Sequence, residues 1–390
     1  MSAPQRQADW LNGGFGVYVH WPFCLAKCPY CDFNSHVSRD VDQGAWRDAL
    51  TAEARYMRNL TGLRSVDTVF FGGGTPSLMP PATVAAVIDE IDKLWGLAPG
   101  AEITLEANPT SVEAAKFCGY ADAGVNRVSM GVQALNDADL KALGRMHSVA
   151  EARAAFDVAR SVFDRVSFDL IYARMGQSVA AWEAELSGAL SMAIDHLSLY
   201  QLTIEAGTRF ADLHDRGRLI VPADDTAAEM YALTQSMTAA AGLPAYEISN
   251  HARPGAESRH NLVYWRYGDY AGVGPGAHGR ITLADGVRVA TETVRAPDGW
   301  LDAVAGKGHG LMPVEAVPAS AQAEEFLMMG LRLTEGIDLQ RFEALAGCGL
   351  SESGLSALQE SGHLTRSGNQ LYATSDGKIV LNAVLARLLA

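Results

Sequence analysis

The chain has few basic residues and no long apolar run. Its 390 residues hold 31 Lys and Arg against 45 Asp and Glu, which gives a net charge of −14. Such an acidic surface argues against nonspecific binding to nucleic acid. No apolar run approaches the roughly 20 residues that a membrane-spanning helix needs, and residues 1–14 contain no apolar signal core. We therefore expect a cytoplasmic protein without a nucleic-acid partner, which could also touch the membrane surface peripherally.

Cysteine is scarce as well, and its five positions are unevenly distributed. Cys24, Cys28 and Cys31 lie close together with the spacing C-x3-C-x2-C. An odd number of cysteines in a chain without secretory features argues against a disulfide framework. Cys118 and Cys348 lie far from this group, and we expect each to be a small buried apolar residue rather than a ligand.

Three closely spaced thiolates suit a loop that wraps around a soft metal centre. A [4Fe–4S] cluster is held by cysteine thiolates, and with three protein ligands one iron stays open for a small molecule. The alternative is a tetrahedral zinc site, for which His20 or His36 could supply the fourth ligand. The spacing favours the cluster, because it is not a usual zinc-finger spacing.

Strand-like apolar runs alternate with amphipathic helical runs over the first half of the chain. This alternation predicts right-handed crossovers and a parallel sheet, most simply an α/β fold with a partial (β/α)6 barrel. A doubly wound sheet is the second possibility. The six predicted strands are Val17–His20, Thr68–Phe71, Ile103–Glu106, Arg127–Met130, Val166–Ile171 and His196–Leu202.

After about Ala319 the pattern changes to short helices, with one β-like piece at Gln370–Ala373. This order predicts a mainly helical, winged-helix-like C-terminal domain. We expect it to pack against the barrel rather than bind DNA, because the region has few Lys or Arg. The predicted organisation is an N-terminal extension at 1–16, the barrel at 17–210, a barrel extension at 211–315 and the C-terminal domain at 316–390.

Each predicted strand ends in glycine or polar residues. Ligand-binding residues of parallel barrels lie at the carboxyl ends of the strands, so these residues should meet at one site. The turn Gly72–Pro76 follows the second strand, and its glycines would let backbone groups approach a ligand closely. Gly274–Gly279 fits a dinucleotide-binding pattern, but it contains Pro275 and is followed by a strand-like run, so we expect a hairpin or loop.

The stretch VYVHWPFCLAKCPYCDFNSH, residues 17–36, resembles the radical S-adenosylmethionine (SAM) superfamily. Its closer context looks like the family of the oxygen-independent coproporphyrinogen III oxidases and the HemW haem chaperones. The resemblance implies a [4Fe–4S] cluster on Cys24, Cys28 and Cys31, with SAM on the open iron and an electron from the cluster that cleaves it.

The resemblance also implies a set of SAM-contacting residues. Among them Arg145 would bind the carboxylate, and Gln133 and Asp169 the ribose hydroxyls. The full set is Tyr18, Tyr30, Gly73, Gly74, Thr75, Glu106, Gln133, Arg145, Asp169 and Thr203.

A second motif, HN-x-x-YW, looks like a signature of the haem-chaperone branch. It comprises His260, Asn261, Tyr264 and Trp265. A histidine and two aromatic residues could hold a porphyrin by axial ligation and stacking. The alternative is a core histidine with two core aromatics. The resemblance favours haem contact.

Two features separate the two branches of the family. The oxidases carry a further cysteine where this chain has Phe33, and they have a longer arm than the 23 residues that precede Cys24 here. Both favour a haem chaperone that delivers haem to respiratory haemoproteins, over an oxidase that decarboxylates porphyrinogen propionates. The resemblance further implies an electron donor such as flavodoxin or ferredoxin, and a homodimer is possible. The chain departs from its relatives at 173–177, Ala-Arg-Met-Gly-Gln, where Gly-Leu-Pro-Gly-Gln is usual.

Overall fold

The computed structural model describes residues 8–389, except for the side chains at 111 and 112. The first seven residues of the predicted N-terminal extension, 1–16, and the last residue of the predicted C-terminal domain therefore lie outside the described residues. Two sheets and their helices account for most of the fold: a mixed sheet of 11 strands and a small sheet of three.

The first half of the chain alternates strands and helices, as its sequence predicts. Side-chain caps fix several helix starts: Asp42 caps the first helix, and Ser148 and Glu151 form a capping box at the sixth. The strands are β1 (Phe15–Trp21), β2 (Phe23–Cys24), β3 (His36–Val37), β4 (Val66–Gly73), β5 (Leu97–Ala107), β6 (Arg127–Gln133), β7 (Arg165–Tyr172) and β8 (His196–Gln201). The helices are α1 (Gln43–Thr61), α2 (Pro81–Trp95), α3 (Ser111–Ala114), α4 (Phe117–Asp122), α5 (Asp137–Ala142), α6 (Val149–Val162) and α7 (Val179–Met192).

All six predicted strands are present, and they pair in parallel in the order β1-β4-β5-β6-β7-β8. A doubly wound sheet would reverse its strand order at one point. This sheet does not reverse, so the partial barrel is confirmed. Residues on both faces of β1, from Phe15 to Val19, are largely buried, as expected where helices cover a parallel sheet.

Residues after β8 extend the same sheet at both edges. On one side β9 pairs antiparallel with β8, and on the other β10 pairs parallel with β1 and begins an antiparallel edge of β11, β12 and β13. The strands are β9 (Asn250–Ala252), β10 (Asp269–Val273), β11 (His278–Thr282), β12 (Arg288–Glu292) and β13 (Glu315–Ala316). The helices are α8 (Arg209–Asp215), α9 (Asp224–Ala240), α10 (Arg259–Trp265) and α11 (Pro297–Lys307). The glycine-rich turn at 274–279 joins β10 to β11 as a hairpin, as predicted.

The C-terminal region forms a separate core around a small sheet. Its elements follow the order helix, strand, helix, helix, strand, strand, and its sheet order is β14-β16-β15, which is the winged-helix arrangement. The strands are β14 (Ile337–Asp338), β15 (Leu364–Ser367) and β16 (Gln370–Ala373). The helices are α12 (Ala319–Gly330), α13 (Leu339–Ala346), α14 (Glu352–Glu360), α15 (Ser375–Ile379) and α16 (Leu381–Leu388).

Ion pairs attach this C-terminal region to the large sheet. Glu325 on α12 accepts hydrogen bonds from Arg280 on β11 and from the hydroxyl of Tyr267. Arg341 on α13 forms a paired interaction with Asp9 near the start of the described chain. Helix α12 is thereby fixed beside the carboxyl ends of the central strands.

The prediction that Cys118 and Cys348 are buried is wrong, because both are exposed. Cys118 lies in the second of the two short helices α3 and α4. In α4 the buried residues Phe117 and Tyr120 define the inner face, which leaves Cys118 on the outer face.

The unusual segment after β7 contains a strained residue. Ala173 has φ +55°, in the left-handed region that glycine occupies without penalty. The neighbouring Arg174 is buried, and its guanidinium binds Asp139, Glu185 and the carbonyl of Ile171. These bonds hold the loop in the conformation that strains Ala173.

We therefore expect Ala173→Gly to stabilise the protein by about 0.5–1 kcal/mol, because it removes the left-handed penalty of an alanine. Chemical denaturation of the purified protein would measure this change. The matched control is Ala241→Gly, at φ −83°, which should lower stability instead. If both variants were less stable than the parent, the inference that the backbone of Ala173 is strained would be wrong.

Candidate functional site

Two neighbouring cavities open where the parallel strands end. The first, which we call the cysteine cavity, has a volume of about 380 Å³ and is lined by Cys24, Cys28 and Cys31. The second, which we call the aromatic cavity, has a volume of about 620 Å³ and is lined by tyrosines and a tryptophan from β1, β10 and α10. Phe33, Gly73 and Glu106 line both cavities and so form the wall between them.

The loop between β1 and α1 brings the three cysteines to one side of the first cavity. The short parallel pair of β2 and β3 closes this loop, with Cys24 opposite Val37. All three cysteines are free and half-buried. Their sulfurs therefore face a common space while remaining within reach of solvent.

Each thiol has a polar side chain close to its sulfur. Thr75 Oγ1 lies 3.5 Å from the sulfur of Cys24, and an Arg145 nitrogen lies 3.4 Å from the sulfur of Cys28. Ser35 Oγ lies 3.9 Å from the sulfur of Cys31. Burial raises the pKa of the Cys24 thiol, and hydrogen bonding from Thr75 opposes this rise. Groups that donate to sulfur favour the thiolate form, which is the form that binds metal.

A chain of hydrogen bonds connects two of these neighbours. Asn108 donates to Thr75 Oγ1 at 3.1 Å and accepts from Arg145 at 2.5 Å. Arg145 also donates to the carbonyl of Gly131 at 2.7 Å. Asn108 was not predicted as a site residue, although it directly follows β5, where the strand-end rule would have pointed to it.

Eight of the ten residues predicted to contact SAM line the cysteine cavity: Tyr30, Gly73, Gly74, Thr75, Glu106, Gln133, Arg145 and Asp169. Tyr18 lines the aromatic cavity instead. Thr203 is exposed after β8 and lines neither cavity. The fold therefore collects residues from the four strands β4, β5, β6 and β7 and from the cysteine loop at one place.

The glycine turn after β4 packs directly against the loop that carries the cysteines. The N–H groups of Gly74 and Thr75 donate to the carbonyls of Trp21 and Phe23, so they do not face the cavity. A Cβ on Gly73 would meet the His20 ring at 2.6 Å, and one on Gly74 would meet the carbonyl oxygen of Phe23 at 2.7 Å. The glycines thus permit the turn to pack against the loop that carries the cysteines.

Gln133 stands at the end of β6 with φ +74°, one of three non-glycine residues with positive φ in the described chain. Left-handed backbone in a long side chain costs about 1–2 kcal/mol and tends to occur at functional sites. The conformation directs a carboxamide into the cysteine cavity, as the SAM-binding prediction requires.

Two partly buried carboxyl groups line the cysteine cavity at the ends of β5 and β7. Burial, together with the nearby carboxyl group of Asp169, raises the pKa of Glu106 to about 8. Burial also raises the pKa of Asp169 to about 6, against hydrogen bonds from Ser198 and Ser129. A bound cation would reverse the effect on Glu106, because it would favour the ionised form.

We expect Glu106→Gln to make the protein more stable at high pH and to weaken SAM binding. The raised pKa means that the native state holds a proton which the unfolded state releases above about pH 4.5, so stability falls as the pH rises to about 8. The neutral glutamine escapes this loss, which is on the order of 2–4 kcal/mol at pH 9.

Unfolding at pH 6 and pH 9 without SAM tests the first part, and equilibrium dialysis of SAM tests the second. Glu229→Gln, at an exposed position of α9, is the matched control. An identical pH dependence in the parent and the Glu106→Gln variant would contradict the raised pKa.

The donor set of the cysteine cavity fits a [4Fe–4S] cluster better than a zinc ion. Within residues 8–389, no three His, Cys, Asp or Glu side chains converge on a single ion. The zinc alternative needed His20 or His36, but both ring nitrogens of His20 are hydrogen-bonded, to Tyr18 and to the carbonyl of Asn34. Three sulfurs spread around one cavity match a centre larger than one ion.

The cavity also has a place for a carboxylate-bearing ligand. Nε of Arg145 is buried and has no hydrogen-bond partner among the described residues. A buried N–H without an acceptor costs about 1–3 kcal/mol, which a bound carboxylate would recover. This fits the role predicted for Arg145 toward SAM.

The HN-x-x-YW motif forms helix α10, and only part of it reaches a cavity. Tyr264 and Trp265 line the aromatic cavity, whereas His260 and Asn261 do not. Further lining comes from Met328 and Met329 on α12, so the C-terminal region closes this cavity.

His260 is a core residue that orients its neighbours. It is 1% exposed, and its two ring nitrogens bond the hydroxyls of Thr68 and Tyr264, both at 2.7 Å. Its ring stacks on Phe70 with a centroid distance of 5.0 Å. Burial lowers the pKa of His260 to about 3, so the ring is neutral. In this structure His260 positions the Tyr264 hydroxyl rather than facing a ligand.

Comparisons with known proteins agree with this architecture. Residues 18–184 match the radical SAM superfamily model, and residues 317–380 match the HemN C-terminal domain model. The chain is 41% identical to radical S-adenosyl methionine domain-containing protein 1, mitochondrial, of Bos taurus, over 96% of this chain and 87% of the relative. It is 38% identical to heme chaperone HemW of Escherichia coli, over 96% of this chain and 98% of the relative.

A solved structure shows the same fold. The coproporphyrinogen III oxidase HemN of Escherichia coli superposes with a TM-score of 0.79 at 20% identity, over 96% of this chain and 90% of that chain. At this identity the likeness describes the fold alone. No helix of the described part of the chain is long and apolar enough to cross a membrane.

Proposed function

Since the chain belongs to the radical SAM superfamily and, within it, to the family of the HemW heme chaperones, we propose that it binds haem and delivers it to respiratory haemoproteins. It carries a [4Fe–4S] cluster and SAM, with haem as its cargo. The coproporphyrinogen oxidase alternative gains no support from any feature of the site, and Phe33 stands where the oxidases have a cysteine.

The observation that carries the proposal is the aromatic cavity. Its volume of about 620 Å³ and its lining by Tyr264, Trp265, Tyr267 and Tyr270 suit a large flat ligand. Aromatic faces stack on a porphyrin and bury its apolar surface. Two of these residues belong to the HN-x-x-YW motif, which ties the family signature to a space of suitable size.

The cysteine cavity holds the redox group beside the cargo. Cys24, Cys28 and Cys31 would bind the cluster, and Arg145, Gln133 and Asp169 would orient SAM on the remaining iron. When bound, the cluster supplies an electron to the sulfonium of SAM. Side chains of the protein would hold SAM in place. The shared wall of Phe33, Gly73 and Glu106 separates the SAM site from the aromatic cavity.

The proposal also includes an electron donor and the proteins that receive the haem. The cluster needs a reductant, for which flavodoxin or ferredoxin is suitable, and the receiving proteins are respiratory haemoproteins. We place the protein in the cytoplasm with peripheral access to the membrane surface, where such acceptors reside. A homodimer is compatible with this role. The division of the chain at 16, 210 and 315 stays a prediction.

The test is a haem titration of the full chain, reconstituted anaerobically with iron and sulfide. We expect stoichiometric haem binding, and transfer of that haem to the haem-free form of a respiratory haemoprotein faster than from haem in solution. The same preparation is incubated with coproporphyrinogen III, SAM and a reductant. Formation of protoporphyrinogen, or failure to bind haem, would overturn the proposed function.

A further inference from the structure

We propose that Arg295 binds a propionate carboxylate of the porphyrin at the mouth of the aromatic cavity, so that the chain selects tetrapyrroles with free carboxylates. The inference rests on the proposed function, which names haem as the cargo but leaves open how it is recognised. It assigns a specificity-determining role to a residue outside both sequence motifs. It also orients the ligand, with its carboxylate edge toward solvent and its apolar edge inside.

The lining of the aromatic cavity combines several aromatic rings with charged groups. Tyr18, Tyr264 and Tyr270 all line it, and the rings of Tyr264 and Tyr270 make an edge-to-face contact of 4.5 Å between centroids. Stacking on these rings binds any flat apolar molecule of the right size. Selection among such molecules must come from the charged groups of the lining.

Two arginines line the cavity, and they differ in what they already bind. Arg280 is engaged in a bidentate ion pair with Glu325, with closest contacts of 2.8 and 3.1 Å. Arg295 has no ion pair or side-chain hydrogen bond within residues 8–389. Of the two guanidinium groups, only that of Arg295 is available to an incoming carboxylate.

The acidic residues that line the aromatic cavity do not pair with the guanidinium of Arg295. Glu325 is already neutralised by Arg280 and by the Tyr267 hydroxyl. Glu106 has a pKa raised to about 8, so it is mostly protonated at neutral pH. Asp32 also lines the cavity, but it makes no ion pair with Arg295. The guanidinium of Arg295 thus remains unpaired among the charged groups of the described lining.

The backbone at Arg295 is fixed, which places its side chain at the cavity. Asn34 donates two hydrogen bonds of 2.9 Å, one to the carbonyl of Arg295 and one to that of Pro275. The residue before it, Val294, donates its N–H to the carbonyl of Gly310 at 2.9 Å. The exposed guanidinium therefore extends from a rigid base, and it loses little solvation when it binds a carboxylate.

The experiment compares haem with haem dimethyl ester, in which both propionates are blocked. Both ligands are titrated into the reconstituted full chain in mild detergent, and dissociation constants are read from absorbance. A hydrogen bond to a charged group contributes about 1.5–3 kcal/mol, so the parent should prefer haem by roughly 10- to 100-fold.

The Arg295→Gln variant should bind haem as weakly as the parent binds the ester, and should bind the ester unchanged. Arg295→Lys should restore part of the preference, since it keeps the charge but not the bidentate geometry. The control is Arg160→Gln, which removes an exposed arginine of α6 far from the cavity. Because Arg295 is exposed, these variants should fold normally, which circular dichroism verifies.

The outcomes separate the two proposals. A parent protein that binds both ligands equally, or a glutamine variant that still prefers haem, would overturn the role of Arg295 and leave the haem function standing. A parent that binds neither ligand would overturn the proposed function, and the role of Arg295 with it.

Discussion

Replacing any one of Cys24, Cys28 or Cys31 with serine is expected to abolish assembly of the [4Fe–4S] cluster. A serine oxygen is a hard ligand and replaces thiolate poorly in iron–sulfur centres. With two thiolates left on one side of the cavity, the cluster would keep only two of its three protein ligands. We expect iron and sulfide content after anaerobic reconstitution to fall to near background.

The other two cysteines provide the controls. Cys118→Ser and Cys348→Ser remove exposed thiols outside the cavity, and we expect both variants to retain the full iron and sulfide content. Retention of the cluster in any variant of the first group would show that the assignment of ligands is wrong. Zinc bound by the parent in place of iron would show the same.

SAM binding should fail together with the cluster. Arg145 contacts both Cys28 and the hydrogen-bond chain through Asn108 to Thr75, so the polar groups around the nucleotide depend on the same loop. Dialysis of SAM against the cysteine variants measures this dependence. Binding of SAM at parental affinity without the cluster would contradict it.

The sequence predicted the cysteine cavity well because its signals are local. Each of Glu106, Gln133 and Asp169 lies at or beside the end of a predicted strand, and parallel strands bring their carboxyl ends to one edge. The alternation of apolar runs was sufficient to place these ends. Thr203 followed the same rule but lies outside both cavities, because the chain after β8 turns away to enter α8.

The aromatic cavity was largely invisible in the sequence. Its lining comes from β1, the cysteine loop, α10, the β10–β11 hairpin and α12, and no periodic pattern connects residues so far apart. The motif HN-x-x-YW pointed to the region, yet its most prominent residue, His260, is used to hold Tyr264. Only the three-dimensional structure distinguishes His260, which positions Tyr264, from Tyr264 and Trp265, which line the cavity.

The shared wall gives the two cavities a physical connection. Glu106 reaches both spaces, and its charge depends on whether a cation lies in the cysteine cavity. Phe33, in the position where the oxidases have a cysteine, exposes a ring between them. Binding of a cation such as SAM in the cysteine cavity would therefore change the charge of Glu106 that a porphyrin meets in the aromatic cavity.

The second large effect is a loss of stability that we expect when Glu53, a fully buried residue of α1, is replaced. Its carboxyl group accepts hydrogen bonds from the backbone N–H groups of Gly274 and Gly310, each at 2.7 Å, and from the indole N–H of Trp300 at 3.0 Å. These donors come from the β10–β11 hairpin, from helix α11 and from the chain after it, so one side chain holds all three against α1. The hairpin carries part of the aromatic cavity.

Glu53→Ala would leave three buried donors without an acceptor, and we expect it to lower the free energy of unfolding by about 3–5 kcal/mol. Glu53→Gln keeps an acceptor oxygen but turns an amide N–H₂ toward at least one donor, so its loss should be smaller, about 1–3 kcal/mol. Urea denaturation of both variants measures these losses. Glu183→Ala, at an exposed position of α7, should change stability by less than about 0.5 kcal/mol.

The pH dependence distinguishes the carboxyl group from simple loss of packing. Burial raises the pKa of Glu53 to about 7, against the hydrogen bonds that lower it. The native state then holds a proton that the unfolded state releases above about pH 4.5, so the parent loses stability as the pH rises to about 7. The glutamine variant lacks this ionisation, and its deficit relative to the parent should shrink between pH 5 and pH 8. If the stability deficit of the glutamine variant stays constant over this range, Glu53 is ionised throughout. If the alanine variant loses less than about 1 kcal/mol of unfolding free energy, the three donors find other acceptors.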